Sequence, residues 1–259
     1  MSTADYLADL FSLRDRAALV TGGNSGIGRA IAGALAGAGA SVVVSARNEA
    51  NLAATVAELT GAGLSAAAVP ADLGERAQVR RLAERAAEPF GEIDILVNCG
   101  AVNIRPPLAE LTEEQWDRTM AVNLDAPFLL GQHFGPRMAA RGWGRIINIA
   151  SQQAFRAFSD SGAYGAAKSG LVALTRSQAE AWSPHGVACN CVSPGVVATP
   201  LNERLFADPG TAERLAARTL TGRNGETADF RGPVVFLASS AADYVTGQNL
   251  FVDGGFSAH

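Results

Sequence analysis

Apolar positions along the chain fall into two rhythms. Seven short runs are dense in β-branched or small apolar residues: AALVT at 17–21, SVVVS at 41–45, SAAAV at 65–69, DILVN at 94–98, RIINIA at 145–150, VACNCV at 187–192 and NLFV at 249–252. Continuous apolar stretches of this length describe strands buried on both faces. Between them the apolar residues recur every three or four positions, as in Ile27, Ile31, Leu35 and Ala38 ahead of Gly39, where a glycine is suited to cap a helix. The alternation predicts an α/β chain with a doubly wound Rossmann fold, a seven-stranded parallel sheet carrying helices on both faces. No linker, low-complexity tract or repeat interrupts it, so residues 1–259 are expected to form a single dinucleotide-binding domain.

Composition narrows the function classes. Hydrophobic residues make up 48% of the chain and charged residues 18%, and 28 glycines are spread along its length, which suits a large core with many tight turns. With 21 basic against 25 acidic residues and no basic run, neither nucleic acid nor a membrane surface is an expected partner. The N-terminus has no basic region followed by an apolar segment, and a cytoplasmic location is expected. Cys189 and Cys191 lack the spaced partners of a zinc site and read as buried structural thiols. His133, His185 and His259 are too scattered for a metal cluster or a Ser/His/Asp triad, so no metal is expected and catalysis must use other acids and bases.

Two stretches carry chemistry. LVTGGNSGIGRAI places Gly22, Gly26 and Gly28 between the first predicted strand and the first helix, where backbone amides and a helix N-terminus can approach a pyrophosphate. At the end of the second strand, where an NAD site usually holds a carboxylate for the ribose 2'-hydroxyl, the chain has Ala46 and Arg47. That exchange predicts a preference for NADP(H), with NAD(H) as the alternative. Asp72, after the third strand, is placed either to accept from an adenine amino group or simply to start a helix. The second stretch is AYGAAKSG, in which Tyr164 and Lys168 are four apart among small residues. On a helix they share one face, a turn apart, so phenol and ammonium can meet at a common point.

With Ser151 thirteen positions before the tyrosine, these motifs make the sequence resemble the short-chain dehydrogenase/reductase family over nearly its whole length. DILVNCGA, the Val122–Asn123 pair, NCVSPGVVATP and FLASSAADYVTGQNLFVDGG follow in the family's order. The resemblance implies NAD(P)-dependent interconversion of a secondary alcohol and a ketone. Tyr164 would be the acid/base, Lys168 would lower its pKa, Ser151 would stabilise the substrate oxygen and Asn123 would hold a water through its backbone carbonyl. Pro127, having no N–H, would leave that carbonyl free in a helix.

The resemblance also implies cofactor contacts from Gly22, Asn24, Ser25, Gly26, Ile27, Gly28, Arg47, Asp72, Leu73, Asn98, Gly100, Ala101, Tyr164, Lys168, Pro194, Gly195, Val197 and Thr199. Asn98–Cys99–Gly100–Ala101 departs from the family's usual Asn-Asn-Ala-Gly and predicts a slightly different turn. Substrate choice is expected from Asn103, Arg105, Gln152, Gln153, Phe155, Arg156 and Phe158 and from a lid at about 196–226. The chain looks most like the sugar-acid and polyol branch, gluconate 5-dehydrogenase-like members included, and homotetramers are implied. Reduction of 3-oxoacyl-thioesters is the nearest rival, and an inactive NADP-binding sensor the remote one.

Overall fold

The computed structural model describes residues 3–258, so His259 lies outside the described residues. Seven strands, β1 (Ala17–Thr21), β2 (Ser41–Ser45), β3 (Ala66–Ala68), β4 (Ile95–Asn98), β5 (Gly144–Ile149), β6 (Val187–Pro194) and β7 (Asn249–Val252), form one sheet. Their order is β3-β2-β1-β4-β5-β6-β7 and every pairing is parallel. The helices are α1 (Thr3–Leu10), α2 (Gly26–Gly37), α3 (Glu49–Gly61), α4 (Arg76–Arg85), α5 (Glu113–Met120), α6 (Ala126–Arg141), α7 (Gly162–Trp182), α8 (Glu203–Phe206), α9 (Pro209–Ala216) and α10 (Arg231–Ala238).

Side-chain alternation divides the core in two. Ala18 and Val20 of β1, Val42 and Val44 of β2, and Ile95 and Val97 of β4 face α2, α3 and α10 through Ile31, Leu35, Leu52, Val234 and Leu237. Their neighbours Leu19, Val43, Leu96 and Ile146 face the opposite layer, built by α4 and α6 with Val79, Leu82, Leu130, Phe134 and Met138. Both faces are therefore apolar, which explains the unbroken apolar runs in the sequence.

Strand order reverses around β1, between β2 on one side and β4 on the other. Thr21 pairs with both Ser45 and Asn98, and Asn98 with Asn148, so four strands end level and their carboxyl ends open onto one crevice. One local feature departs from the sequence reading. The chain between α5 and α6 is not α-helical: Ala121–Asp125 form a π-helical turn in which the Ala126 N–H donates to the Ala121 carbonyl. The reading of Asn123 and Pro127 as partners in an α-helix is corrected accordingly. Pro127 has no hydrogen to donate, and the widened turn accommodates it at the start of α6.

Candidate active site

A cleft of about 870 Å³ lies over the carboxyl ends of the strands. Its floor is the turn between β1 and α2. A Cβ on Gly28 would run into the Gly22 carbonyl, and Gly22 has φ +68, so only glycines let the turn close on itself this tightly. Ser25 caps α2 with no side-chain hydrogen bond, which leaves first-turn N–H groups directed at the cleft. Asn24, Ser25, Gly26 and Ile27 line it as well. This cradle fits a pyrophosphate: backbone donors and the positive end of a helix meet where glycines at 22, 26 and 28 keep the backbone accessible.

The opposite end holds Ser151, Tyr164 and Lys168. Ser151 follows β5 in extended backbone, φ −169, and its hydroxyl accepts from the Gln153 N–H at 3.1 Å. Tyr164 and Lys168 lie on α7 and are 6% and 2% exposed, yet both reach the cleft wall. The Tyr164 phenol hydrogen-bonds the Ser151 hydroxyl. Lys168 Nζ donates to the Ile149 carbonyl at 2.7 Å and stands 5.6 Å from the centre of the Tyr164 ring. The small residues around the pair are needed for packing: Ala163 and Ala167 are fully enclosed.

A family sequence model described as enoyl-(acyl carrier protein) reductase matches residues 22–257. Gluconate 5-dehydrogenase of Gluconobacter oxydans (strain 621H) is 38% identical over 249 residues, spanning 96% of this chain and 97% of that protein. D-threitol dehydrogenase of Mycolicibacterium smegmatis is 38% identical, with 95% of each chain covered. A gluconate 5-dehydrogenase from Burkholderia cenocepacia J2315, solved with NADP and tartrate, superposes with a TM-score of 0.93 at 38% identity over 98% of this chain and 99% of that one. The chain belongs to the short-chain dehydrogenase/reductase family.

As an NAD(P)-dependent member of this family, the protein gathers most of the sequence-derived site residues around one cleft. Arg47, Asp72, Leu73, Gly100, Ala101, Pro194, Gly195, Val197 and Thr199 all line the cleft. The unusual Asn98–Ala101 turn is held by Thr21, whose Oγ1 accepts from the N–H groups of Cys99 and Gly100 at 3.0 and 3.1 Å. Two residues lie behind the wall. Asn98 is 3% exposed and its amide donates to Asn148, which bonds in turn to Thr175 and Gln178 on α7. Asn123 is fully buried, its side chain clamping Val102 through bonds of 3.2 and 2.9 Å. Both brace the site by joining its strands and helices.

Burial sets the electrostatics of the pair: it pushes the Tyr164 phenol up to about 12, against the opposing pull of the Ser151 hydrogen bond. Burial likewise brings the Lys168 ammonium down to about 8. Two groups sharing one desolvated pocket are each driven towards their neutral forms. Cys189 and Cys191 are buried, as expected of structural thiols, and burial pushes them up to about 12 and 11.

Some of the wall escaped the sequence reading. Arg118 of α5 reaches Asp72 across 46 residues, a pairing that no local spacing announces. The segment expected as a lid, 196–226, does reach the cleft, through Asn202 and Leu205. That segment is pinned at its base by a bridge between Val197 and Gly225 and by the Gly225 N–H on the Val196 carbonyl at 2.8 Å.

Proposed function

We propose that the protein is an NADP(H)-preferring oxidoreductase that interconverts a secondary alcohol and a ketone on a sugar acid or polyol. One observation supports the substrate class. Among the cleft-lining residues near Ser151 and Tyr164, Gln152 Oε1, Gln153 Oε1 and Asn103 Oδ1 are buried and have no hydrogen-bond partner among the described residues. Leaving such acceptors unpaired in a fatty-acyl site is unfavourable, whereas the hydroxyls of a sugar acid or polyol can donate to them. The relatives named above act on substrates of that kind by their names, gluconate and D-threitol.

When bound, the nicotinamide supplies or accepts the hydride. The chain's own residues handle the proton and the geometry. Tyr164 Oη gives a proton to the substrate oxygen in reduction and takes it back in oxidation. Ser151, fixed by the Gln153 N–H and the phenol, holds that oxygen in place. Lys168, anchored on the Ile149 carbonyl, brings a positive charge close to the phenol while it is protonated. Asn123 supports this arrangement through the π-helical turn, and the segment at 196–226 serves as a lid over it.

The cofactor preference is supported by Arg47, which stands exposed at the end of β2 with no carboxylate at that position. In Arg47→Asp the Kd for NADPH is expected to rise about tenfold or more and NADH to become the better ligand; an unchanged ratio removes Arg47 from the site. The substrate reading is tested with a cofactor-linked absorbance panel. Sugar acids and polyols should turn over, and Gln152→Leu should lower kcat/KM on them about tenfold for a lost buried hydrogen bond. Good reduction of acetoacetyl-thioesters with no turnover of any polyhydroxylated compound overturns it.

A cytoplasmic homotetramer completes the proposal: Trp116 on α5, Phe128 on α6 and Phe251 on the edge strand β7 expose apolar surface suited to contacts between copies. No helix among the described residues is long and apolar enough to cross a membrane.

A further inference from the structure

The adenosine end of the cleft carries three charged side chains, Arg47, Asp72 and Arg118, and the cofactor reading gives a part to the first two but none to Arg118. The Arg47 guanidinium makes no hydrogen bond or ion pair within contact distance among the described residues. Asp72 is close enough to feel its charge. An uncompensated carboxylate here would be doubly unfavourable for NADP, because it would attract Arg47 to itself and repel a dianionic phosphate.

Arg118 alters that balance. Its Nη2 donates to both carboxylate oxygens of Asp72, at 2.7 and 3.0 Å, and the pair is only 28% and 25% exposed. The Gly74 N–H adds a third bond to the carboxylate at 2.8 Å. A Cβ at position 74 would overlap the Arg118 guanidinium, which would have to move aside. Burial raises the Asp72 pKa, but the Gly74 N–H, Arg118 and Arg47 together outweigh it and keep the group below the ordinary carboxylate value. Asp72 therefore stays ionised, with its charge compensated from α5.

We propose that Arg118 is a positioning residue for cofactor choice: by pairing with Asp72 it leaves the Arg47 guanidinium available to the 2'-phosphate of NADP. This rests on the NADP(H) reading above, and it accounts for a carboxylate being tolerated one strand away from a phosphate site. Arg118 acts through Asp72 and not on the hydride chemistry.

The test is binding of NADPH and NADH to the cofactor-free protein at low ionic strength, followed by tryptophan fluorescence, in wild type, Arg118→Met, Arg118→Met/Asp72→Asn and Gly74→Ala. Arg118→Met is expected to raise the NADPH Kd about tenfold and the NADH Kd less than about threefold. Removing the carboxylate as well should restore most of the loss, and Gly74→Ala should shift the ratio in the same direction by displacing the guanidinium. Equal weakening of both cofactors, or a loss that Asp72→Asn does not recover, reduces Arg118 to a structural role and overturns the inference. An unchanged ratio in Arg118→Met and Gly74→Ala overturns it too, while a wild-type protein that prefers NADH overturns the NADP reading beneath it.

Discussion

Tyr164→Phe is expected to lower kcat by about 10³-fold while leaving cofactor affinity within about twofold, the pattern of a lost proton-transfer group. The substitution removes one oxygen from a side chain that is 6% exposed and otherwise preserves its shape. Its hydrogen-bond partner is not stranded, because the Ser151 hydroxyl still accepts from the Gln153 N–H. Stability should therefore change by less than about 1 kcal/mol, so loss of activity cannot be ascribed to unfolding. Steady-state kinetics and NADPH titration check both halves. A variant retaining full turnover would show that the proton reaches the substrate by another route.

How far the sequence foretold this site depended on the range of the interactions involved. The strands were legible because two-sided burial demands apolar residues at every position; AALVT and SVVVS coincide with β1 and β2. Boundaries moved where pairing extended past the apolar run. β6 continues through Ser193 and Pro194, which pair with Phe251 and Val252, and proline is tolerated at the end of a strand. The glycine turn was legible because its geometry excludes side chains.

Long-range and collective features were not. Nothing near Arg118 in the sequence indicates a carboxylate across the fold, and nothing in residues 121–125 announces a π-helical turn. The burial of the Tyr164–Lys168 pair is equally collective. Spacing on a helix gives proximity, but the desolvation that dominates both groups comes from the whole surrounding core.

That desolvation gives Lys168→Met two opposite consequences. Activity should fall about 10²-fold, since a charge held beside the reacting phenol is replaced by a neutral chain of similar length. In the direction of ketone reduction, kcat/KM of the wild type should decline as pH rises through about 8, where Lys168 loses its proton, because the phenol with its value of about 12 is still an acid there. The variant should lack that decline.

Stability should move the other way. The folded-state value of Lys168, about 8, lies below the ordinary 10.5, so below pH 8 the lysine is charged in both states and the native protein bears the burial penalty in full. Between pH 8 and 10.5 the unfolded chain binds the extra proton, and wild-type stability gains from this group as pH rises. Methionine never bears the penalty, although it leaves the Ile149 carbonyl without its donor. Denaturant unfolding at pH 7 should therefore find Lys168→Met more stable by about 1–3 kcal/mol, with the gap closing at alkaline pH. A gap that widens with pH, or a variant less stable at pH 7, would mean that the lysine is held by favourable pairing and not in spite of its desolvation.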